Sequence, residues 1–457
     1  MGHEMYDYDA QFADAVFDYC RGRLALSPVP LDFGGLAPVP QAELATLITR
    51  EGHPPESVLD FFRDRLAPAV VSIDAPNFLA FIPNSPTKSS LLFDMVVACS
   101  GLNGTSWLES AGVVAAENAA LTFLADLAGL PEGAGGAFVS GGSMGNLSGL
   151  TVGRDVGCAL RPGLALHDAR FALSADAHSS VGKALHVLGV GSLVVEGDDH
   201  RLTKEGLAAA IAADGHPDTI VGVIATAGTT NAGIVDDLDG IGEYARANGL
   251  WYHIDGAYGG AAMFSETHRH LFEGIRHADS FVVDPHKWLL APLDCAALIY
   301  RNPTVARKVL AQQAGYLDVL HTGDDEHYEW NPSDFAIHLS RRARGLPFWF
   351  SLATHGTHAY ETAIQSAIDL AAYAAGEITA SSHLELVREP TLSVVLFRRL
   401  GWTSERYTEW SHQMLRDQLA FVTPTKWEGE TVGRLAFLHP NTTRETVDAI
   451  IASAAFD

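Results

Sequence analysis

Short apolar runs recur between Asn77 and Gly345, each followed by a stretch of helix length. The runs are residues 137–140, 169–174, 192–195, 220–226, 250–254, 280–283 and 296–300. Most are apolar at successive positions instead of alternating with polar residues. Such strands are covered on both faces, the habit of a mostly parallel sheet with helices on either side. The clearest intervening helices are predicted over 118–130 and 143–154. The pattern therefore predicts an α/β unit of seven strands over residues 76–345.

The flanks read differently. Residues 1–75 alternate helical stretches (41–49 and 57–66) with Pro-rich joints such as 26–35. Their periodic apolar surface is too small for a core of their own. This segment is expected to pack on another part of the protein or on a second subunit. After Leu346 a long helix is predicted over 348–380. A smaller α+β unit follows, with strands at 384–388, 393–398, 421–425 and 433–438 around a helix at 403–419. Residues 346–457 are thus expected to form a small C-terminal domain.

Composition narrows the functional classes. A chain of 457 residues, 47% of them hydrophobic, has material for two or three cores. Thirty basic against 55 acidic residues leave a net charge of −25, which argues against nucleic acid or an anionic membrane as partner. Cys20, Cys99, Cys158 and Cys295 are scattered, without CxxC or zinc-like spacing, as expected for reduced thiols of a cytoplasmic protein. No metal site is expected. The N-terminal residues are polar and acidic, unlike a signal peptide, and no run of eighteen apolar residues offers a membrane span.

The chemistry gathers where the predicted strands end. Asp255 ends the run 250–254, and His286-Lys287 follow the run 280–283. In open α/β sheets, ligands are handled at the carboxyl ends of the strands. An amine and a carboxylate delivered to that edge can bracket a flat, cationic, carbonyl-bearing cofactor such as pyridoxal phosphate. Its aldehyde joins a lysine, and its ring nitrogen needs an acidic partner. Lysine in so apolar a setting is costly without a use.

Three further strand ends carry polar groups. Ser140-Gly-Gly-Ser-Met-Gly-Asn146 opens a helix whose free N–H groups suit a phosphate, although an ordinary strand–helix turn has the same look. It is neither GxGxxG nor GxxxxGK[ST], which excludes the usual dinucleotide and NTP loops. His178 follows the run 169–174 and reads either as a ring-stacking group or as a structural histidine. Thr226, at the start of Thr226-Ala-Gly-Thr-Thr230, reads as a ring-substituent donor or as a helix cap. Asp255 itself has a helix N-cap as its plain alternative.

As a set, these motifs resemble the group II pyridoxal-phosphate amino acid decarboxylases. The carriers are Gly141 to Asn146, Ala177-His-Ser-Ser180, Thr226 to Thr230, His253-Ile-Asp-Gly-Ala-Tyr258 and Pro285-His-Lys-Trp288. The resemblance spans roughly residues 70 to 350 and implies the fold-type I, aspartate-aminotransferase-like architecture. It implies that Lys287 carries the cofactor and Asp255 holds its ring nitrogen, with His178 and Ala257 on the two ring faces. Gly142, Ser143 and His286 would reach the phosphate, and Thr226 the ring hydroxyl side. It also implies a homodimer with shared sites, His338-Leu-Ser-Arg-Arg342 reaching the partner's phosphate near Leu339 and Ser340.

Within the same resemblance, Tyr316 of Gly315-Tyr-Leu317 matches a mobile-loop tyrosine that returns a proton to the substrate Cα. Related aldehyde synthases carry phenylalanine there, so Tyr316 favours simple decarboxylation of an L-amino acid to its amine. Asn77-Phe-Leu-Ala-Phe-Ile-Pro83 is similar to the aromatic branch. Phe81 and Pro83 would line the side-chain pocket, with Asn84 near the carboxylate. Asn103 and Thr105 stand where that branch has apolar partner-subunit residues, which suits an acidic or small polar substrate. Asp284 stands where many members have asparagine close to the phosphate. An aldehyde synthase and a non-catalytic ligand-binding relative remain the other readings.

Overall fold

The computed structural model describes residues 3–38, 40–312, 314–320 and 329–455. Its large sheet comprises β1 (Gly135–Val139), β2 (Arg170–Ser174), β3 (Gly191–Val195), β4 (Ile220–Thr226), β5 (Trp251–Asp255), β6 (Ser280–Val283) and β7 (Ala296–Tyr300). They lie in the order β1-β7-β6-β5-β4-β2-β3. Only β7 runs antiparallel to its neighbours, while β2 through β6 pair in parallel. The fold is thus the mostly parallel, seven-stranded α/β sheet that the apolar runs predict. Strands β1, β4, β5, β6 and β7 are buried at every position, as two-sided coverage requires.

One helix sets the site's geometry. Gly142–Ala159 follows β1 and carries glycine at 145, 149, 153 and 157. A Cβ at these positions would lie 2.8 Å from Val282, 3.0 Å from His253, 2.6 Å from Trp251 and 2.6 Å from Val221. Four-residue spacing puts all four on one face. The bare face lets the helix press onto β4, β5 and β6, and brings its first turn against their carboxyl ends.

The C-terminal unit holds β8 (Leu384–Leu386), β9 (Val394–Arg399), β10 (Thr425–Trp427) and β11 (Glu430–Ala436), antiparallel in the order β10-β11-β9-β8. Two expectations change here. The helix expected over 348–380 is two helices, Leu346–His355 and Thr357–Ala380, broken at Gly356 with φ +72°. A left-handed glycine ends a helix readily. The strand expected at 421–425 is displaced to β10. Phe421 instead pairs with the distant Phe78, and Leu79 is stitched between Phe421 and Ala436. Local pattern cannot reveal a partner more than 300 residues away.

A buried ion pair locks another distant segment. Arg341 forks onto Glu117 at 2.6 and 3.0 Å, and Glu117 also accepts the Gly345 N–H at 2.8 Å. The pair holds segment 338–345 against the helix Trp107–Leu127. Among the described residues, no helix is long and apolar enough to cross a membrane.

Candidate active site

The carboxyl ends of β1, β4, β5 and β6 and the loop after β2 surround a cavity of about 180 Å³. Gly142, Ser143, His178, Thr226, Asp255, Ala257, His286 and Lys287 all line it. The parallel register explains the meeting: Thr226 and Asp255 are paired residues at the ends of β4 and β5, and β6 runs beside β5.

Asp255 is 5% exposed. Its Oδ1 accepts the Ala257 N–H at 3.1 Å, and its Oδ2 accepts Asn146 Nδ2–H at 2.8 Å. The same Asn146 amide group donates to Ser180 Oγ at 3.1 Å. Asn146 Oδ1 lies 3.0 Å from His253 Nε2, while His253 Nδ1 lies 2.7 Å from Ser280 Oγ. Ser280 Oγ accepts Trp251 Nε1–H at 3.0 Å. One proton assignment satisfies the whole chain: the Ser280 hydroxyl donates to Nδ1, and Nε2–H donates to Asn146.

His253 is therefore neutral, and burial pushes its pKa down to about 4. A depressed histidine contributes stability above its ordinary pKa that is lost as pH falls toward the folded value. His253→Gln is expected to show this. The stability gap between wild type and variant should shrink by about 3 kcal/mol between pH 7 and pH 4. Urea unfolding at both pH values checks it, and an unchanged gap would refute the assignment. Comparing wild type with the variant is necessary because buried Asp236, raised to about 7, contributes with the opposite sign.

His178 caps the helix Ser179–Leu188, its Nδ1 accepting the Ser180 N–H at 3.2 Å. In the neutral ring the proton then sits on Nε2, a donor at the cavity. His286 repeats the device: Nδ1 accepts the Cys295 N–H at 2.9 Å, and burial lowers its pKa. The Lys287 Nζ lies 2.9 Å from Asp284 Oδ2. The amide of Asn84 donates to the carbonyls of His286 and Ala291, bracing this turn from behind.

The donor set fits pyridoxal phosphate. Thr226 Oγ1 is buried with no hydrogen-bond partner, as a hydroxyl aimed at a ring substituent would be. Gly142 is a cradle position, since a Cβ there would lie 2.9 Å from the Ala257 Cβ. The N-cap of its helix is Gly141, which offers no side-chain cap.

The pyridoxal-dependent decarboxylase conserved domain matches residues 41–400 of the chain. The aromatic-L-amino-acid decarboxylase of Bacillus atrophaeus is 31% identical over 417 residues, covering 88% of this chain and 85% of that protein. The chain belongs to the pyridoxal-dependent decarboxylase family. Phenylacetaldehyde synthase of Arabidopsis thaliana is 28% identical, covering 87% of this chain and 81% of its own. The fold matches the crystal structure of Oryza sativa TDC with PLP and tryptamine, at a TM-score of 0.88, 23% identity and 99% of both chains. The cofactor of this enzyme is pyridoxal 5'-phosphate, and its reaction is the decarboxylation of an amino acid, the work of a carboxy-lyase.

Seven sequence-predicted residues of this decarboxylase whose side chains are described do not line the cavity of the single chain. Phe81 is exposed, with φ +54° and its ring 6.2 Å from Phe421. A bulky residue in left-handed backbone marks strain held by its surroundings. Pro83 is buried beside it, and Asn84 faces the His286–Ala291 turn. Asn103 bonds Glu109 and the Thr105 N–H. Thr105 Oγ1 accepts the Arg341 N–H at 3.3 Å, so Asn103, Thr105, Leu339 and Ser340 share one loop cluster. Tyr316 belongs to the short turn Gly315–Leu320, and its side chain lies outside the described residues.

Asn146, Ser180, His253 and Ser280 form a relay that motif reading names without assigning roles. For His253 and Ser280 the available signal was burial, as polar residues inside runs that must be covered on both faces, whereas Asn146 and Ser180 lie in the first turns of helices.

Proposed function

We propose that this decarboxylase converts an aromatic L-amino acid to its amine, with Lys287 as the Schiff-base lysine and Asp255 as the partner of the ring nitrogen. The observation that carries the reading is the amine and the hydrogen-bonded carboxylate lining one cavity. When bound, pyridoxal phosphate supplies a cationic electron sink for the pair released as CO2 leaves.

The chain's own residues do the rest. The Ala257 N–H and Asn146 hold the Asp255 carboxylate in orientation. The Gly142 turn, Ser143 and the Nε2–H of His286 would hold the phosphate, and the Thr226 hydroxyl would hold the ring oxygen. His178 and Ala257 would hold the two faces of the ring, and the Nε2–H of His178 would orient the substrate carboxylate. Tyr316 returns a proton to Cα, a role assigned from its motif. Phe81 and Pro83 line the side-chain pocket with Asn84 near the substrate carboxylate, while Asn103 and Thr105, and Leu339 and Ser340 near the phosphate, serve the neighbouring subunit's site in a cytoplasmic homodimer. Apolar exposure supports a second subunit: the helix Ala10–Ala25 buries no residue, and Phe17, Val58, Phe62 and Val70 are exposed.

The aromatic preference draws on the relatives' names, among them a tyrosine decarboxylase of Narcissus pseudonarcissus. The aldehyde-synthase relatives supply the second reading. Incubating purified enzyme with aromatic, acidic and small polar L-amino acids tests both. CO2 and amine from the aromatic members alone are expected, without peroxide or ammonia. Turnover confined to acidic substrates would sink the side-chain assignment, and stoichiometric peroxide would sink simple decarboxylation.

A further inference from the structure

Asp284 sits at the end of β6 with a side chain 1% exposed. Its Oδ2 accepts the Gly142 N–H at 3.1 Å, lies 2.9 Å from Lys287 Nζ, and stands 3.6 Å from His286 Nε2. Its Oδ1 is buried without a hydrogen bond. A carboxylate thus occupies the positive end of the helix Gly142–Ala159 and shares the donors proposed above for the phosphate. A phosphate ester carries up to two negative charges near neutral pH. Two anions competing for one helix terminus and one histidine repel strongly where water is scarce. An amide in place of the carboxylate would keep the shape, accept from Gly142, and donate to the phosphate.

We propose that Asp284 limits the enzyme's affinity for its cofactor by opposing the phosphate, so that occupancy responds to cofactor supply. The proposal rests on the phosphate position assigned under Proposed function. Asp284 also touches Lys287, so an effect through the lysine is the competing route. The two routes separate by ligand. Repulsion of phosphate affects only pyridoxal 5'-phosphate, whereas an effect through the lysine affects pyridoxal equally.

Purified holoenzyme dialysed to equilibrium against graded pyridoxal 5'-phosphate, and in parallel against graded pyridoxal, reads both, with bound cofactor and Schiff-base absorbance as signals. Asp284→Asn is expected to strengthen pyridoxal 5'-phosphate binding at least about tenfold, about 1.4 kcal/mol, and to change pyridoxal binding by less than about threefold. Asp284→Glu, which keeps the charge, is expected to stay near wild type. Asp284→Ser replaces the Asn variant if the latter yields no folded protein. Equal strengthening of both aldehydes would overturn the proposal, as would unchanged or weaker phosphate-dependent binding in the neutral variant. Wild type that forms no absorbance band with either aldehyde would overturn the site assignment and this proposal together.

Discussion

Lys287→Ala is expected to abolish the absorbance band of the lysine-bound cofactor and to lower kcat for CO2 release by at least about 10³-fold. Lys287 lies in a turn braced by Asn84, with its Nζ on Asp284, so the side chain is held near the end of β6 before any ligand arrives. Truncation leaves Asp284 without its ammonium partner and removes the amine. Among the residues lining the cavity, Lys287 is the one lysine. Spectral and kinetic losses should therefore appear together. Retention of the band by folded variant protein would move the covalent attachment to another amine. Full loss of the band with kcat intact would show that the lysine holds the cofactor without contributing to turnover.

How far the sequence revealed this site depended on whether the relevant interaction was local. Strands β4, β6 and β7 coincide with the predicted runs 220–226, 280–283 and 296–300, because strands covered on both faces have unbroken apolar signatures. Asp255, Thr226 and Lys287 could be placed at strand ends from those runs alone. The break at Gly356 was missed because the apolar stretches on either side were read as one helix across the exposed polar stretch Thr354-His-Gly-Thr-His358, where Gly356 takes the left-handed angle that ends the first helix. Phe421 was misplaced because its partner, Phe78, is distant in sequence. The relay through Asn146, His253 and Ser280 joins three elements. Each residue looked ordinary in its own segment, and its meaning arises only when the glycine face of Gly142–Ala159 is pressed onto β5 and β6. Phe81, Asn103 and Thr105 were named as pocket residues from a motif, while a single chain gathers them on loops away from Lys287.

Asp255→Ala is expected to leave the cofactor attached yet reduce kcat by about 10³-fold, roughly 4 kcal/mol of transition-state stabilisation. The carboxylate ends β5, whereas Lys287 follows β6, so removing one should not displace the other. In the proposed role its negative charge would keep the ring nitrogen protonated, and the developing charge at Cα would need that cation most in the transition state. The loss should accordingly fall on kcat, with KM little changed. Asp255→Asn is the harsher packing test, because its amide would face two donors already in place, Asn146 Nδ2–H and the Ala257 N–H. Only one of these can be met by the single carbonyl oxygen without rearrangement. The alanine variant removes charge without adding a competing donor, and the Asn146–His253–Ser280 chain can keep its direction. Absorbance of the bound cofactor and single-turnover CO2 release, measured on the same preparation, separate attachment from chemistry. Normal single-turnover release in a variant lacking the carboxylate would show that Asp255 is an ordinary end to a strand.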